Sequence, residues 1–258
     1  MLGVSVIFSC KKARENTNTQ TAADNAICEG EFMRMLPATN SIAVKTTGNG
    51  VGRVEANGYP KVTIDTNNGK WPHTMTIDYG PAPGVIDSSD GKTRSGILVI
   101  SFSNYWHTNA ATATMNVGAG STYIVNGVSF QGVVTMTHNS KTSFSISVAN
   151  AKCTSGYWSI TYNANRTYTW VSGYNDTIPS NDVFTITGNA SGTDRNGLSY
   201  TMNITSPLYK TGSCTCITQG TINYTISGGT GCILDFGNGS CDNQATVTIN
   251  GNSFPITL

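Results

Sequence analysis

Hydrophobic and polar residues alternate along most of the chain after Lys61, in segments rich in Thr, Val, Ile, Tyr and Phe that Gly and Asn clusters separate. A period of two places successive side chains on opposite faces of a β-strand. At Phe144, Ile146 and Val148, for example, the large side chains alternate with serine. The pattern predicts an all-β protein, an antiparallel meander or sandwich in which one face of each strand is buried and the other is solvated.

Turn residues divide this alternation into hairpins. Asn-Gly pairs at residues 126–127 and 250–251 accept the positive φ of a type I′ turn, and Asp194 to Gly197 makes a longer turn. We therefore expect hairpins at residues 122–137, 182–205 and 245–257, and further long strands at residues 96–105, 143–148 and 158–171.

Helical periodicity is confined to the region before Lys61. Apolar side chains at Ile27, Cys28, Phe32 and Met35 are spaced as one side of a helix within residues 22–35. We expect one short N-terminal helix that caps an end of the sheet.

The first ten residues resemble a bacterial lipoprotein signal. An apolar run ends at Cys10, with the branched Ile7 at minus three and the small Ser9 at minus one, and a cationic segment follows. The run is too short to cross a bilayer, which takes about 20 apolar residues. The resemblance implies diacylglycerol on Cys10, whereas the alternative is an ordinary strand that ends in a free thiol.

Domain boundaries follow from this interpretation. We expect a signal peptide at residues 1–9, a lipidated cysteine and flexible tether at 10–26, and a β-rich domain at 27–258. The similarity of residues 76–80 to 233–237 leaves open whether that domain holds two related modules or has used the same hairpin chemistry twice. Acyl chains contribute about 0.8 kcal/mol per buried CH₂, so the membrane is the first expected partner.

Six cysteines besides Cys10 form an even set, which is typical of an exported, oxidised domain: Cys28, Cys153, Cys214, Cys216, Cys232 and Cys241. Three disulfides are expected. The turn at residues 237–239 favours a bridge between Cys232 and Cys241. Cys214 and Cys216 share a face if their segment is extended, which favours a separate partner for each.

Charge and composition exclude several functions. Charged residues make up 11% of the chain and the net charge is +1, which argues against nucleic acid as a partner. We expect no cofactor and no metal, because the histidines are scattered singly. We expect no catalytic residue either, although a hydrolase that used converging aspartates is a third hypothesis, with these candidates: Asp78, Asp87, Asp90, Asp182, Asp194 and Asp235.

Aromatic residues raise the alternative of glycan binding. Trp106, Trp158 and Trp170 are candidates for stacking against sugar rings, with neutral Asn, Thr and Ser side chains to supply hydrogen bonds. Cross-strand aromatic ladders within a sheet give the same sequence pattern. Coplanar, exposed tryptophans would distinguish the glycan site from the ladder.

An ordered set of motifs resembles a group of secreted lipoproteins of Bacteroidota whose function is unknown. The motifs are Ile77-Asp78-Tyr79-Gly80, Asp90-Gly91-Lys92-Thr93-Arg94-Ser95-Gly96, the segments 168–173 and 187–197, and Phe236-Gly237-Asn238-Gly239-Ser240-Cys241-Asp242-Asn243. The resemblance covers roughly residues 28–258 and implies no activity. We expect a non-enzymatic structural or interaction module of the cell envelope, at the outer membrane on its periplasmic face or on the cell surface; a glycan-binding surface lipoprotein is the alternative.

Overall fold

The all-β prediction is confirmed. The computed structural model describes residues 17–43, 51–54, 60–87, 91–105, 108–176, 178–214, 216–242 and 244–257. In these ranges the chain forms one α-helix and seventeen strands, with short 3-10 turns at Asn67–Gly69 and Pro179–Asn181. Cys10, Asp90 and Trp106 lie outside the described residues, as does the predicted signal peptide.

The helix α1 spans Thr17–Ala43. The strands, in chain order, are β1 Val51–Val54, β2 Lys61–Asp65, β3 His73–Asp78, β4 Val85–Ile86, β5 Thr93–Ser95, β6 Ile97–Phe102, β7 Thr112–Val117, β8 Tyr123–Val125, β9 Val128–Ser140, β10 Ser143–Ser155, β11 Trp158–Ser172, β12 Val183–Thr193, β13 Ser199–Thr211, β14 Gln219–Ile226, β15 Cys232–Asn238, β16 Gln244–Ile249 and β17 Asn252–Thr257.

All strand pairings are antiparallel. β1, β2, β3, β6, β7 and β9 are neighbours in that order. From β9 to β17 every strand pairs with the next one in the chain, which makes the predicted meander. β4, β5 and β8 form a side branch that joins the start of β9, where Tyr123 is opposite Phe130.

The three predicted hairpins are present as β8–β9, β12–β13 and β16–β17. Asn126 and Gly127 have φ of 47° and 79°, and Asn250 and Gly251 have φ of 51° and 77°. Both central residues of a type I′ turn need positive φ, which is why the Asn-Gly pairs located these turns correctly.

The core lies on the face of the sheet against which α1 packs. Phe144, Ile146 and Val148 on β10 are at most 2% exposed, as their alternation with serine predicts. From α1, Cys28 and Phe32 join the same hydrophobic cluster. The predicted N-terminal helix is therefore present, but it is longer than expected and packs on the buried face of the sheet instead of capping an end.

The sheet curves around α1. Asn25 donates a hydrogen bond to Tyr224 of β14, and Glu31 accepts one from Tyr123 of β8. The two helix residues are only about 9 Å apart along the axis, at 1.5 Å per residue. β8 and β14 are six strand spacings apart, about 29 Å on a flat sheet. Only a strongly curved sheet brings both strands to the same two turns of helix.

The predicted tether at residues 10–26 needs a correction. Residues 17–26 belong to α1, and Thr21, Asp24 and Asn25 within them are at most 1% exposed. Their polar, non-periodic composition is typical of a linker, but here these side chains face the sheet and bind partners there.

Candidate functional site

The buried face of α1 is mostly polar. Its residues recur at the spacing of three and four that defines one side of a helix, and each is at most 1% exposed: Thr21, Asp24, Asn25, Cys28, Glu31 and Phe32. Buried polar groups are costly unless they are hydrogen-bonded. We call these residues, with Glu29 and their partners on the sheet, the seam.

The innermost part of the seam joins α1 to β5 and β8. Arg94 Nη2 lies 2.9 Å from Glu31 Oε2, and Tyr123 Oη donates to Glu31 Oε1 at 2.6 Å. The side chains of Arg94 and Glu31 are 0% and 1% exposed. Burial raises the pKa of Tyr123 well above its usual range, and the charge of Glu31 raises it further. Tyr123 therefore stays protonated and remains a donor to the carboxylate.

A further anion, Asp87, and a further cation, Lys92, lie beside this group of side chains. Arg94 Nη1 also lies 3.5 Å from Asp87 Oδ2, and the half-exposed Lys92 has its Nζ 3.8 Å from Glu31 Oε2. The buried charges of Glu31 and Arg94 thus have opposite charges on more than one side. This is the condition under which buried ions are tolerated.

A second ion pair joins α1 to β11. Arg166 Nε donates to Glu29 Oε1 at 2.9 Å, and Arg166 is 2% exposed. Burial, the largest single effect, lowers the pKa of Arg166, but the charge and hydrogen bond of Glu29 together with the nearby Tyr162 and Tyr168 outweigh it, and the pKa is raised. Arg166 is therefore charged at every pH at which the fold exists.

The third contact holds the turn between β12 and β13. Both the backbone N–H and the Nε of Arg195 donate to the carboxylate of Asp24, each at 2.8 Å. Next to them, Thr21 Oγ1 donates to Asp194 Oδ2 at 2.7 Å. The guanidinium of Arg195 also lies over the ring of Trp158, 4.6 Å from its centroid.

Two further links complete the seam. Asn25 accepts a hydrogen bond from Tyr200 at 3.1 Å and donates one to Tyr224 at 3.3 Å. Cys28 forms a disulfide with Cys153 of β10. The helix is therefore fixed to the sheet by a covalent bond, three ion pairs and a set of neutral hydrogen bonds.

Charged residues of two sequence motifs, which could have been taken for catalytic groups, belong to this seam. Arg94 comes from the motif at residues 90–96, and Asp194 and Arg195 come from the motif at 187–197. In the first motif Gly96 has φ of 93°, and a Cβ there would lie 1.8 Å from the carbonyl oxygen of Thr122. Both motifs thus have a structural role in the fold, one that the sequence alone did not reveal.

A cavity lies beside β3, β6 and the segment before β8. Its volume is about 360 Å³, and its lining includes Asp78, Ser95 and Ser121. Asp78 is its single carboxylate, and Oδ1 of that residue accepts the backbone N–H of Gly80 at 2.8 Å.

The other described aspartates of the hydrolase hypothesis do not line this cavity. Asp87 and Asp194 bind in the seam, and Asp235 accepts the backbone N–H of Gly237. In the described part of the chain, therefore, the predicted aspartates do not converge.

The predicted stacking tryptophans need a correction. Trp170 is 8% exposed and packs against Phe144 and Phe184, with ring centroids 4.9 Å and 4.8 Å away. Phe184 is also the partner of Trp170 in the β11–β12 register. Trp170 is therefore part of a cross-strand ladder, and one ring face of Trp158 is covered by Arg195.

The predicted Cys232–Cys241 disulfide is wrong, because Cys241 is bonded to Cys214. Cys232 begins β15 and is 2% exposed, whereas Cys241 follows the far end of that strand. The strand extends six residue steps, about 20 Å, from Cys232 to Asn238, before the turn that leads to Cys241. The described residues contain two disulfides where three were expected, and Cys216 and Cys232 are free thiols.

Comparisons with known proteins do not identify this chain: no family model, no curated protein and no solved structure matches it. The described helix is not both long enough and apolar enough to cross a membrane. The resemblance to Bacteroidota lipoproteins and the location in the cell envelope stay predictions.

Proposed function

We propose that this protein is a cell-envelope lipoprotein that a lipid on Cys10 anchors to the membrane, and that it acts as a non-enzymatic structural or interaction module. The observation that carries the proposal is the attachment of α1 to the sheet. This helix begins at Thr17, shortly after Cys10, and is bound to the sheet by a disulfide and three ion pairs.

The spacing between Cys10 and α1 sets how far the domain can stand from a bilayer. Seven residue steps separate Cys10 from Thr17, which is at most about 25 Å of chain. A lipid on Cys10 would therefore hold the start of α1 close to the membrane surface. Any mechanical force between the membrane and the domain is transmitted through α1 to the sheet.

The seam is suited to carry such a force. Cys28 transmits it covalently to Cys153 on β10, the second strand of the meander. The ion pairs of Glu31, Glu29 and Asp24 distribute it over β5, β11 and the β12–β13 turn. The non-enzymatic part of the proposal is supported by the same contacts, because they engage the carboxylates and guanidinium groups in fixed pairs.

The anchor is tested by fatty-acid labelling. We expect the full chain, expressed in a bacterium that processes lipoproteins, to incorporate an alkyne-tagged fatty acid and to sediment with membranes. Cys10→Ala should abolish both properties, while Cys232→Ala, which removes a buried thiol, should retain them. A parent protein without label, or a Cys10→Ala variant with as much label as the parent, contradicts the anchor.

Glycan binding stays a second candidate because one aromatic group lies at the surface. Trp71 stacks on His73 at 3.6 Å and meets the ring of Tyr105, which is 69% exposed. Polysaccharide pull-down with the full chain tests it. Saturable binding that Trp71→Ala removes and Trp158→Ala leaves intact supports a sugar site there; equal binding by both variants and the parent contradicts it.

A further inference from the structure

Three sulfur atoms meet in the loop between β13 and β14. Cys214 is bonded to Cys241, and the Sγ of the free Cys216 lies 3.1 Å from the Sγ of Cys214. All three sulfurs lie within 4.8 Å of one another. A thiol this close to a disulfide sulfur is within reach for thiol–disulfide exchange.

Backbone hydrogen bonds hold this arrangement in place. Cys214 donates its N–H to the carbonyl of Thr211 at 3.2 Å, and Thr218 donates to Tyr209 at 3.0 Å, so both ends of the loop are fixed to β13. Gly239 donates to the carbonyl of Thr218 at 2.8 Å, which keeps the segment that carries Cys241 beside the loop. The three sulfurs are therefore brought together by the fold and not by one side-chain rotamer.

A lysine lies at the same place. Lys210 Nζ donates to the carbonyl oxygen of Cys214 and is 3.5 Å from that of Cys216. Burial lowers the pKa of Lys210, while the Cys216 sulfur acts in the opposite direction. The thiolate is the form that attacks a disulfide.

We propose that Cys214, Cys216 and Cys241 form a thiol–disulfide exchange centre in which Cys214 alternates between two partners. Cys216 gives its proton to solvent, and its thiolate attacks Cys214 Sγ. The Cys214–Cys216 bond forms as the Cys214–Cys241 bond breaks, and the bonding pair leaves on Cys241, which takes up a proton. The exchange is redox-neutral and needs no oxidant or reductant.

The exchange changes where the free thiol lies. Cys216 is half-buried and Cys241 is exposed, so the step moves the reactive group to the surface. There the Cys241 thiolate can attack a disulfide of a second protein, forming a mixed disulfide and releasing the partner's thiolate. Cys232 is outside this cluster; burial raises its pKa, and it serves as an internal control.

Alkylation and peptide mapping test the exchange. The oxidised full chain is treated with N-ethylmaleimide at pH 8 without denaturant, quenched with acid and cleaved before aspartate. Cleavage before Asp235 and before Asp242 releases a fragment, residues 235–241, that contains Cys241 and no other cysteine. We expect label to accumulate on this fragment over time, at least about tenfold above the level in a Cys216→Ser variant.

Two further variants complete the test. In the Cys232→Ser variant, fragment 235–241 should carry as much N-ethylmaleimide label as it does in the parent. Cys241→Ser should contain a Cys214–Cys216 disulfide, found by mass after digestion without reductant.

The proposal is overturned if the parent carries label on Cys216 and none on Cys241, or if Cys216→Ser labels Cys241 equally. It is also overturned if Cys214 and Cys216 both stay free in Cys241→Ser. A chain that is isolated with all three thiols reduced around one zinc ion would contradict it as well, in favour of a metal site.

Discussion

The two disulfides of this chain belong to regions that are built in opposite ways. Cys28–Cys153 joins α1 to the middle of the sheet, both residues are 0% exposed, and 125 positions separate them. Cys214–Cys241 joins two loops across 27 positions, and it has an exposed end and a third sulfur beside it. The first region uses its cysteines as a fixed link, whereas the second keeps them accessible.

The same difference extends to the charged groups. In the seam, Glu31 and Arg94 are fully buried and form an ion pair with two hydrogen bonds between them. In the Cys214 loop, Lys210 faces backbone carbonyls. The contrast indicates that the stability of the fold is concentrated where α1 meets the sheet, and that chemistry is concentrated away from it.

Removing each disulfide should give the largest difference between the two regions. Loop entropy predicts a loss of about 5 kcal/mol in the free energy of unfolding for Cys28→Ala with Cys153→Ala, and about 3.5 kcal/mol for Cys214→Ala with Cys241→Ala. Urea denaturation of the two double variants measures both losses. A larger loss from the second pair would contradict the ranking.

Breaking one buried ion pair should have the next largest effect. Glu31→Gln keeps the size of the side chain but leaves Arg94 buried opposite a neutral amide, and we expect a loss of about 3–5 kcal/mol in the free energy of unfolding. Asp24→Asn is the matched change at the outer end, where Arg195 is 28% exposed and water can replace the lost charge. We expect a smaller loss there of about 1.5–3 kcal/mol. Equal losses in urea denaturation would show that burial does not set the cost.

Alkaline pH should weaken the α1 side of the fold. Burial is the first cause of a raised pKa in five tyrosines on this side: Tyr123, Tyr162, Tyr168, Tyr200 and Tyr224. Since the folded pKa values lie above the unfolded value, their contribution to stability is complete below about pH 10 and is lost as the pH rises.

Linkage makes the loss about 0.8 kcal/mol per tyrosine by pH 10.5, or about 4 kcal/mol for all five. The free energy of unfolding, measured in urea at pH 8 and at pH 10.5, checks this. A value that does not change between the two pH values would contradict the burial of these hydroxyls.

Two matched hydroxyl deletions, Tyr123→Phe and Tyr162→Phe, should differ in their cost to stability, and Tyr162→Phe should have the smallest effect of all the changes. Tyr123→Phe removes the donor to Glu31, and a hydrogen bond to a charged group contributes about 1.5–3 kcal/mol. Tyr162→Phe removes a buried hydroxyl that has no hydrogen-bond partner in the described part of the chain, and it retains the stacking on Phe32. We expect that change to be neutral or slightly stabilising in thermal unfolding. A cost for Tyr162→Phe as large as that for Tyr123→Phe would contradict the contacts assigned to these two residues.

The sequence predicted what depends on neighbouring residues. Alternation located the strands, and the Asn-Gly pairs fixed the hairpins at 126–127 and 250–251. The sequence did not predict the start of α1. Thr21 and Asp24 are polar, and their burial depends on partners more than 170 positions away. Dependence on distant residues also explains why the predicted partner of Cys241 was wrong. Only the folded loops bring Cys214 close to Cys241.

One signal for the seam was present in the sequence. Arg94 and Arg166 lie at inward positions of strands, where a charge is tolerated only with an opposite charge. The carboxylates of Glu29 and Glu31 in the predicted helix were the available partners. Recognising the pairs requires knowledge of which face of the helix meets the sheet. The weak apolar periodicity gave only part of that face, at Cys28 and Phe32.

Hydrogen exchange in the native state tests most directly whether α1 is an integral part of the sheet structure. We expect the amides of residues 25–32 to exchange with the same free energy as those of β10 and β11, because the helix cannot leave while the disulfide and the three ion pairs hold. Helix amides that exchange several kcal/mol more easily than those strands would show that α1 detaches from an intact sheet, and would contradict the central role of the seam.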